Sequence, residues 1–138
     1  MNKDCLFCNI AEGVIPSKKV HETQYAFAFL DINPVADGHT VIVPKNHVSD
    51  ISVLPDAEIG PLFTAVKEVT MLLKSKLGTD HFTIGINHGE AAGQLVPHLH
   101  VHVIPRYQGD GGGSIHSVIK NPKQKESLEV VYNKIISK

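Results

Sequence analysis

The segment His98-Leu99-His100-Val101-His102-Val103-Ile104 places three histidines at every second position of the chain. Side chains with this spacing share one face of a β-strand, whereas a helix would distribute them around its axis. Leu99, Val101 and Val103 would then point to the opposite face, which is apolar and partly β-branched. The pattern therefore predicts a strand that buries one face in the core and presents three imidazoles on the other.

Three imidazoles on one face indicate chemistry rather than packing. A neutral histidine has one donor and one acceptor nitrogen, and its lone pair can bind a metal, take a proton or attack an electrophile. A row of such groups gains little from packing, and its members would repel one another once protonated. We interpret the segment as the centre of a functional site.

Length and composition restrict the class of protein. With 138 residues, of which 42% are hydrophobic and 20% charged, the chain predicts a single domain over residues 1–138. No apolar stretch approaches the roughly 20 residues that span a bilayer, and the N-terminal residues lack the apolar core of a secretory signal, so we expect no membrane association and a cytoplasmic protein. The net charge of −1 and a lone arginine, Arg106, disfavour a nucleic acid polymer as partner.

Hydrophobic periodicity predicts the remaining elements. Apolar alternation indicates strands at residues 19–22, 25–30, 39–43 and 81–88, before the histidine strand at 96–106. Helical spacing indicates a short helix at 5–12, a long helix from about 55 to 77 and a C-terminal helix within 122–138. The Gly60-Pro61 pair leaves the start of the long helix open, and Gly78 ends it. Hairpin-linked strands with helices between and after them predict an α+β fold with a five-stranded antiparallel sheet.

Two cysteines near the N-terminus suggest a metal site. Cys5 and Cys8 have the two-residue spacer that lets two thiolates bind one zinc ion, and two further ligands are then required. The same spacing fits a redox pair or two unpaired thiols, so the motif alone leaves these alternatives open.

Other polar positions are less informative. Gly93 would let backbone amides approach an anion, and Asp31 and Asn87, near strand ends, suit either hydroxyl binding or turn capping. The five histidines without paired spacing are interpreted as structural or exposed: His21, His39, His81, His88 and His116.

The histidine segment resembles the signature of the histidine triad (HIT) family. Further blocks resemble the family in the same order, at residues 5–10, 28–34, 38–47 and 87–94, so the resemblance covers about residues 5 to 106. It implies a HIT-like fold whose five-stranded sheets join across a homodimer. Residues 107–138 would form a variable tail that ends in the C-terminal helix.

The resemblance implies a hydrolase or transferase that acts on the α-phosphate of purine nucleotide conjugates, such as phosphoramidates, aminoacyl adenylates or dinucleoside polyphosphates. His100 would be the nucleophile and form a covalent nucleotidyl-histidine, which water then cleaves. His102 and the backbone at Leu95 and Val96 would hold the phosphate oxygens. His98 completes the catalytic group.

The resemblance also implies a nucleotide site and a zinc site. The base would contact Phe7, Ile10, Phe29 and Ile32, the ribose Asp31, and the phosphate region Asn87, Gly93 and Gln94. His47 and His98 would join Cys5 and Cys8 around a closed structural zinc, as in relatives with paired cysteines. In relatives without the cysteines, the two matching histidines form a hydrogen-bond relay instead.

One departure from the family pattern bears on the type of activity, and a second class of function stays open. Leu95 stands where phosphoramidase-like relatives often carry a serine that assists protonation of the leaving group. The alternative to an enzyme is a regulatory module that binds nucleotides with negligible turnover. The intact histidine triad favours the enzyme.

Overall fold

A computed structural model describes residues 2–138 and contains the α+β architecture that the sequence predicts. Five strands form one antiparallel sheet in the order β1-β2-β3-β5-β4. Their bounds are β1 Lys19–Glu22, β2 Ala26–Leu30, β3 Thr40–Pro44, β4 His81–Gly85 and β5 Val101–Arg106. β3 lies at the centre of the sheet, where β2 pairs with it from Thr40 to Pro44 and β5 pairs with it from Thr40 to Ile42.

Three α-helices accompany the sheet: α1 Leu6–Ala11, α2 Asp56–Leu77 and α3 Leu128–Ile136. α2 begins at Asp56 and continues past Pro61 in its second turn, where the proline removes one intrahelical hydrogen bond. Gly78 follows α2 in the left-handed conformation, with φ +69°, as the sequence predicts.

β2 and β3 are buried on both faces, which explains their continuous apolar character, whereas β1 and β4 are partly exposed. On one face Leu99, Val101 and Val103 pack with the inner side of α2. On the other face Phe7 and the cysteines of the α1 segment pack against Phe27, Phe29, Val41 and Val43. The three triad histidines are thus directed to the α1 side, since they alternate with residues of the α2 side.

The predicted strand at 96–106 is too long, because β5 begins at Val101. The backbone before it serves other partners: the N–H of Leu99 donates to the Val48 carbonyl, and the His98 carbonyl accepts from the His100 ring. Only His102 of the triad therefore lies in the hydrogen-bonded ladder. The facial alternation persists through the irregular segment, so the predicted shared face holds even though the predicted strand does not.

Other element ends also differ from the sequence predictions. β4 stops at Gly85, which pairs with His102 near the start of β5. The C-terminal helix is confined to Leu128–Ile136, after the Ser127 side chain accepts the Val130 N–H as its N-cap. All residues of α3 are exposed. Within residues 2–138, no helix combines the length and apolarity needed to cross a bilayer.

Candidate functional site

His98 is fully buried and its ring orientation is fixed by backbone. Its Nε2–H donates to the Pro44 carbonyl at the end of β3, with a distance of 2.8 Å. Because a carbonyl can only accept, the hydrogen lies on Nε2 and the lone pair on Nδ1. That lone pair faces the two cysteines. Burial, the largest effect, lowers the pKa of His98 and keeps the ring neutral.

Four donor atoms converge at this point and form what we call the thiol–imidazole cluster: Cys5 Sγ, Cys8 Sγ, His47 Nδ1 and His98 Nδ1. All lie within 4.8 Å of one another. His98 Nδ1 is 3.3 Å from Cys5 Sγ, 3.5 Å from Cys8 Sγ and 3.2 Å from His47 Nδ1. Cys8 Sγ is 3.3 Å from His47 Nδ1.

The cluster fits a tetrahedral zinc ion. Zinc bonds of about 2.0 Å to nitrogen and about 2.3 Å to sulfur place tetrahedral ligands about 3.3 Å apart for two nitrogens and about 3.6 Å apart for nitrogen and sulfur. The distances between the donor atoms lie near these values. Burial raises the pKa of the Cys8 thiol, so the thiolate needs a cation beside it.

His100 has the opposite arrangement from His98. Its Nδ1–H donates to the backbone carbonyl of His98 over 2.7 Å, so its lone pair is on Nε2. The Phe7 ring meets the His100 ring edge to face, with centroids 4.9 Å apart. The side chain is 7% exposed, which leaves a small part of the ring accessible. The carbonyl of His98, the residue that faces the thiol–imidazole cluster, therefore holds the His100 ring through Nδ1 and leaves Nε2 without a protein partner among the hydrogen bonds of the site within residues 2–138.

His102 lies beside His100, with ring centroids 5.1 Å apart. It is hydrogen-bonded to His39, which the sequence analysis interpreted as structural or exposed. His39 Nε2 lies 2.9 Å from His102 Nδ1, and the nearest Asp31 carboxylate oxygen lies 3.6 Å from His39 Nε2. Burial and the neighbouring rings of His100 and His39 lower the pKa of His102 to about 4. Burial also lowers the pKa of His39, against the opposing effect of Asp31.

The sequence contained a weak signal for His39. Residues 39, 41 and 43 alternate, which places His39 on the face of Val41, and Val41 is the cross-strand partner of His102. The strand pairing was not visible in the sequence, so the contact could not be inferred. Gly38 has φ +88°, and a Cβ there would run into Leu77 and Pro105, so the turn that delivers His39 requires glycine.

The loop before the triad is braced by Gln94. Its side-chain oxygen accepts from the Gly89 N–H, and its amide donates to the carbonyls of Ser49 and Val96. Gly93 has φ +96° and lies against Asn87. Leu95 is 92% exposed. The structure thus explains Gln94 as a support of the loop, and its contact with phosphate stays a prediction.

The apolar residues predicted for the base divide into two groups. Phe7, Ile10 and Phe29 are buried together on the α1 face, and the Phe7 and Phe29 rings form an edge-to-face contact with centroids 5.5 Å apart. Ile32 is 89% exposed and does not pack with them. Asp31 is partly exposed near this region, and its carboxylate also accepts the Asn33 N–H. The structure brings together the rings beneath the site, while the base contact itself stays a prediction.

A protein-family model described as HIT domain matches residues 12–109. The chain belongs to the HIT family. An uncharacterized HIT-like protein of Methanocaldococcus jannaschii is 44% identical over 127 residues, which cover 92% of this chain and 98% of that protein. The family resemblance of the histidine segment is thereby confirmed.

Two further comparisons bear on the chemistry of this HIT chain. An adenosine 5′-monophosphoramidase of Candida albicans is 37% identical over 106 residues, which cover 74% of this chain and 70% of that enzyme. The crystal structure of a zinc-bound histidine triad protein from Mycobacterium smegmatis is 34% identical, with a TM-score of 0.74 and coverage of 78% of each chain. The HIT family thus includes nucleotide hydrolases, and a solved member with this fold holds zinc.

Proposed function

We propose that this HIT protein is a hydrolase or transferase that acts on the α-phosphate of purine nucleotide conjugates through a covalent nucleotidyl-His100. The observation that carries the proposal is the hydrogen bond from His100 Nδ1 to the His98 carbonyl, 2.7 Å long. It leaves the Nε2 lone pair of a neutral imidazole free for attack. The phosphoramidase among the relatives supports the class of reaction.

The reaction proceeds in two steps. His100 Nε2 attacks the α-phosphorus and forms an N–P bond, while the bond to the leaving group breaks and the leaving group takes its electron pair and a proton from solvent. Water then attacks the same phosphorus and gives up a proton to solvent. The N–P bond breaks, its electron pair returns to His100 Nε2, and nucleotide and neutral imidazole are released. Two moderate barriers replace a higher one.

The neighbouring groups have separate roles in this proposal. The side chain of His102 and the backbone at Leu95 and Val96 hold the phosphate oxygens as negative charge develops on them. The Asp31 carboxylate accepts hydrogen bonds from the ribose hydroxyls. The phosphate region lies against Asn87, Gly93 and Gln94. The base contacts four apolar side chains: Phe7, Ile10, Phe29 and Ile32. His98 positions His100 through its carbonyl.

We also propose a structural zinc in the thiol–imidazole cluster. Cys5, Cys8, His47 and His98 would hold it with four protein ligands, so the ion would lack an open position for substrate. Bound zinc supplies a rigid tie between the α1 segment and the histidine segment. Its contribution to the reaction would be the position of His98, and hence of the carbonyl that orients His100.

The proposed assembly is a twofold homodimer, in keeping with the symmetry common among homo-oligomers. Sedimentation equilibrium of the full chain tests it, and a mass of one chain at micromolar concentration would contradict it.

The enzyme proposal is tested with adenosine 5′-phosphoramidate and a diadenosine polyphosphate as substrates. We expect the purified protein to release adenosine nucleotide from at least one of them, and His100→Asn to lower the rate at least about 10³-fold. His81→Asn is the matched control, because His81 is exposed on β4. Mass spectrometry after an alkaline quench, which preserves the acid-labile N–P bond, should show a nucleotidyl adduct on His100. Nucleotide binding without turnover dependent on His100 would overturn the enzyme and support the regulatory module.

A further inference from the structure

The loop that leads to β3 contains a hydrogen bond that determines where His39 carries its hydrogen. The backbone N–H of Val35 donates to His39 Nδ1, with a nitrogen–nitrogen distance of 3.2 Å. A backbone amide can only donate, so Nδ1 must have the lone pair. In a neutral ring the hydrogen then lies on Nε2. Burial lowers the pKa of His39 and favours this neutral form.

The His39 Nε2–H has one acceptor at hydrogen-bond distance, His102 Nδ1, 2.9 Å away. Asp31 Oδ2 is 3.6 Å from the same nitrogen, which is too long for a hydrogen bond. His102 Nδ1 therefore accepts, and the hydrogen of the neutral His102 ring lies on Nε2. If His102 Nδ1 carried the hydrogen instead, His39 Nε2 would have to accept it, and the hydrogen of His39 would lie on Nδ1. That hydrogen would then meet the Val35 N–H, so the backbone excludes this arrangement.

We propose that His39 is a positioning residue that fixes His102 in the Nε2–H tautomer, so that His102 presents a hydrogen-bond donor beside the lone pair presented by His100. The inference rests on the proposed function, in which His102 holds a phosphate oxygen. A neutral ring in the other tautomer would direct a lone pair from Nε2, and that would repel an anionic oxygen. The Val35 amide thus determines, through the rings of His39 and His102, that His102 Nε2 is a hydrogen-bond donor rather than an acceptor.

The same hydrogen positions give Asp31, His39 and His102 a role other than metal binding. The three residues have ligand-type atoms within 4.8 Å of one another, which is the composition of a metal site. A ligand nitrogen must offer its lone pair to the ion, and His39 Nε2 carries a hydrogen toward His102. We therefore assign these residues to hydrogen bonding.

The tautomer of His102 is measured by long-range ¹H–¹⁵N NMR of protein labelled with ¹⁵N-histidine, with His102→Asn used to assign the signals. In the unmodified protein we expect a protonated Nε2 and an unprotonated Nδ1 on His102. This measurement needs no variant of His39. A proton on Nδ1 of His102 would overturn the proposal.

Two variants of His39 test its role. His39→Leu removes the donor, so we expect mixed tautomers of His102 and a fall in kcat of about 10- to 10²-fold, with a smaller change in KM, because a hydrogen bond to developing charge acts in the transition state. His39→Gln retains an N–H donor and should keep kcat within a few-fold of the parent. His81→Gln is the control for loss of a histidine elsewhere.

The outcomes separate this proposal from the proposed function. An unchanged His102 tautomer in folded His39→Leu would overturn the positioning role even if the enzyme is active. Absence of turnover dependent on His100, with the expected tautomer present, would overturn the enzyme and leave the His39–His102 arrangement in place.

Discussion

Two groups of metal-type residues flank His100, and they differ in where their hydrogens lie. In the thiol–imidazole cluster, the Pro44 carbonyl accepts the hydrogen bond from His98 Nε2–H. The lone pair on His98 Nδ1 therefore points toward the other three donor atoms. In the second group, which comprises Asp31, His39 and His102, the Val35 N–H donates to His39 Nδ1. The hydrogen of His39 therefore lies on Nε2 and points toward His102. The first arrangement collects lone pairs and suits a cation, whereas the second pairs donors with acceptors. The backbone partner of the far nitrogen, rather than residue type, determines which chemistry a histidine can perform.

The largest expected effect is the loss of zinc from the thiol–imidazole cluster, which distinguishes this cluster from the second group. Cys5→Ser combined with Cys8→Ser removes both thiolates, so we expect loss of stoichiometric zinc. Zinc at a thousandfold above its Kd contributes about 4 kcal/mol to the free energy of unfolding, and the variant should lose a stabilisation of that size. Elemental analysis and denaturant unfolding check both expectations.

His39→Gln is the matched control for this experiment. It should retain one zinc per chain, because His39 lies outside the thiol–imidazole cluster. Full zinc in the cysteine variant, or loss of zinc in His39→Gln, would contradict the distinction between the two groups.

A medium effect is expected from pH. Burial and the neighbouring rings hold the pKa of folded His102 at about 4, against an ordinary value of 6.5. Between these values the unfolded chain binds a proton that the folded chain does not, so the free energy of unfolding falls as pH falls from 6.5 toward 4. The full difference corresponds to about 3 kcal/mol.

Urea unfolding at several pH values between 7 and 4.5 measures this dependence. We expect a shallower loss of stability in His102→Asn than in the parent, since acid displacement of zinc affects both proteins equally. Parallel curves for the two proteins would show that His102 does not carry the depressed pKa.

The smallest effect is expected from Asp31→Asn. The Asp31 carboxylate raises the pKa of His39 and of His102, so its removal should lower both values further in an NMR titration. Because the asparagine oxygen can still accept the Asn33 N–H, the free energy of unfolding at pH 7 should change by no more than about 0.5 kcal/mol. The His102 tautomer should be unchanged, and a switch to Nδ1–H would show that Asp31, rather than Val35, determines it.

Much of the fold was accessible from the sequence because it follows from local periodicity. Alternation along the triad predicted which residues enter the α2 core, and the prediction holds at Leu99, Val101 and Val103. The start of β5 was inaccessible, since the Leu99 amide and the His98 carbonyl leave the ladder for partners that no strand pattern indicates. His39 was missed for a related reason: its contact with His102 depends on the pairing of β3 with β5.

The sequence by itself determined the α+β class and the shared face of the triad, because spacing fixes side-chain direction within an element. The spacing of Cys5 and Cys8 indicated a possible metal site, and His47 and His98 joined it only through the resemblance to the HIT family. Only the tertiary structure decided which nitrogen of each imidazole holds the hydrogen. The deciding groups are carbonyls and amides of Pro44, His98 and Val35, and two of the three lie more than fifty residues from the triad histidine that they affect. Every residue type carries a backbone carbonyl, and all but proline carry an N–H, so the positions of these groups become informative only after the chain has folded.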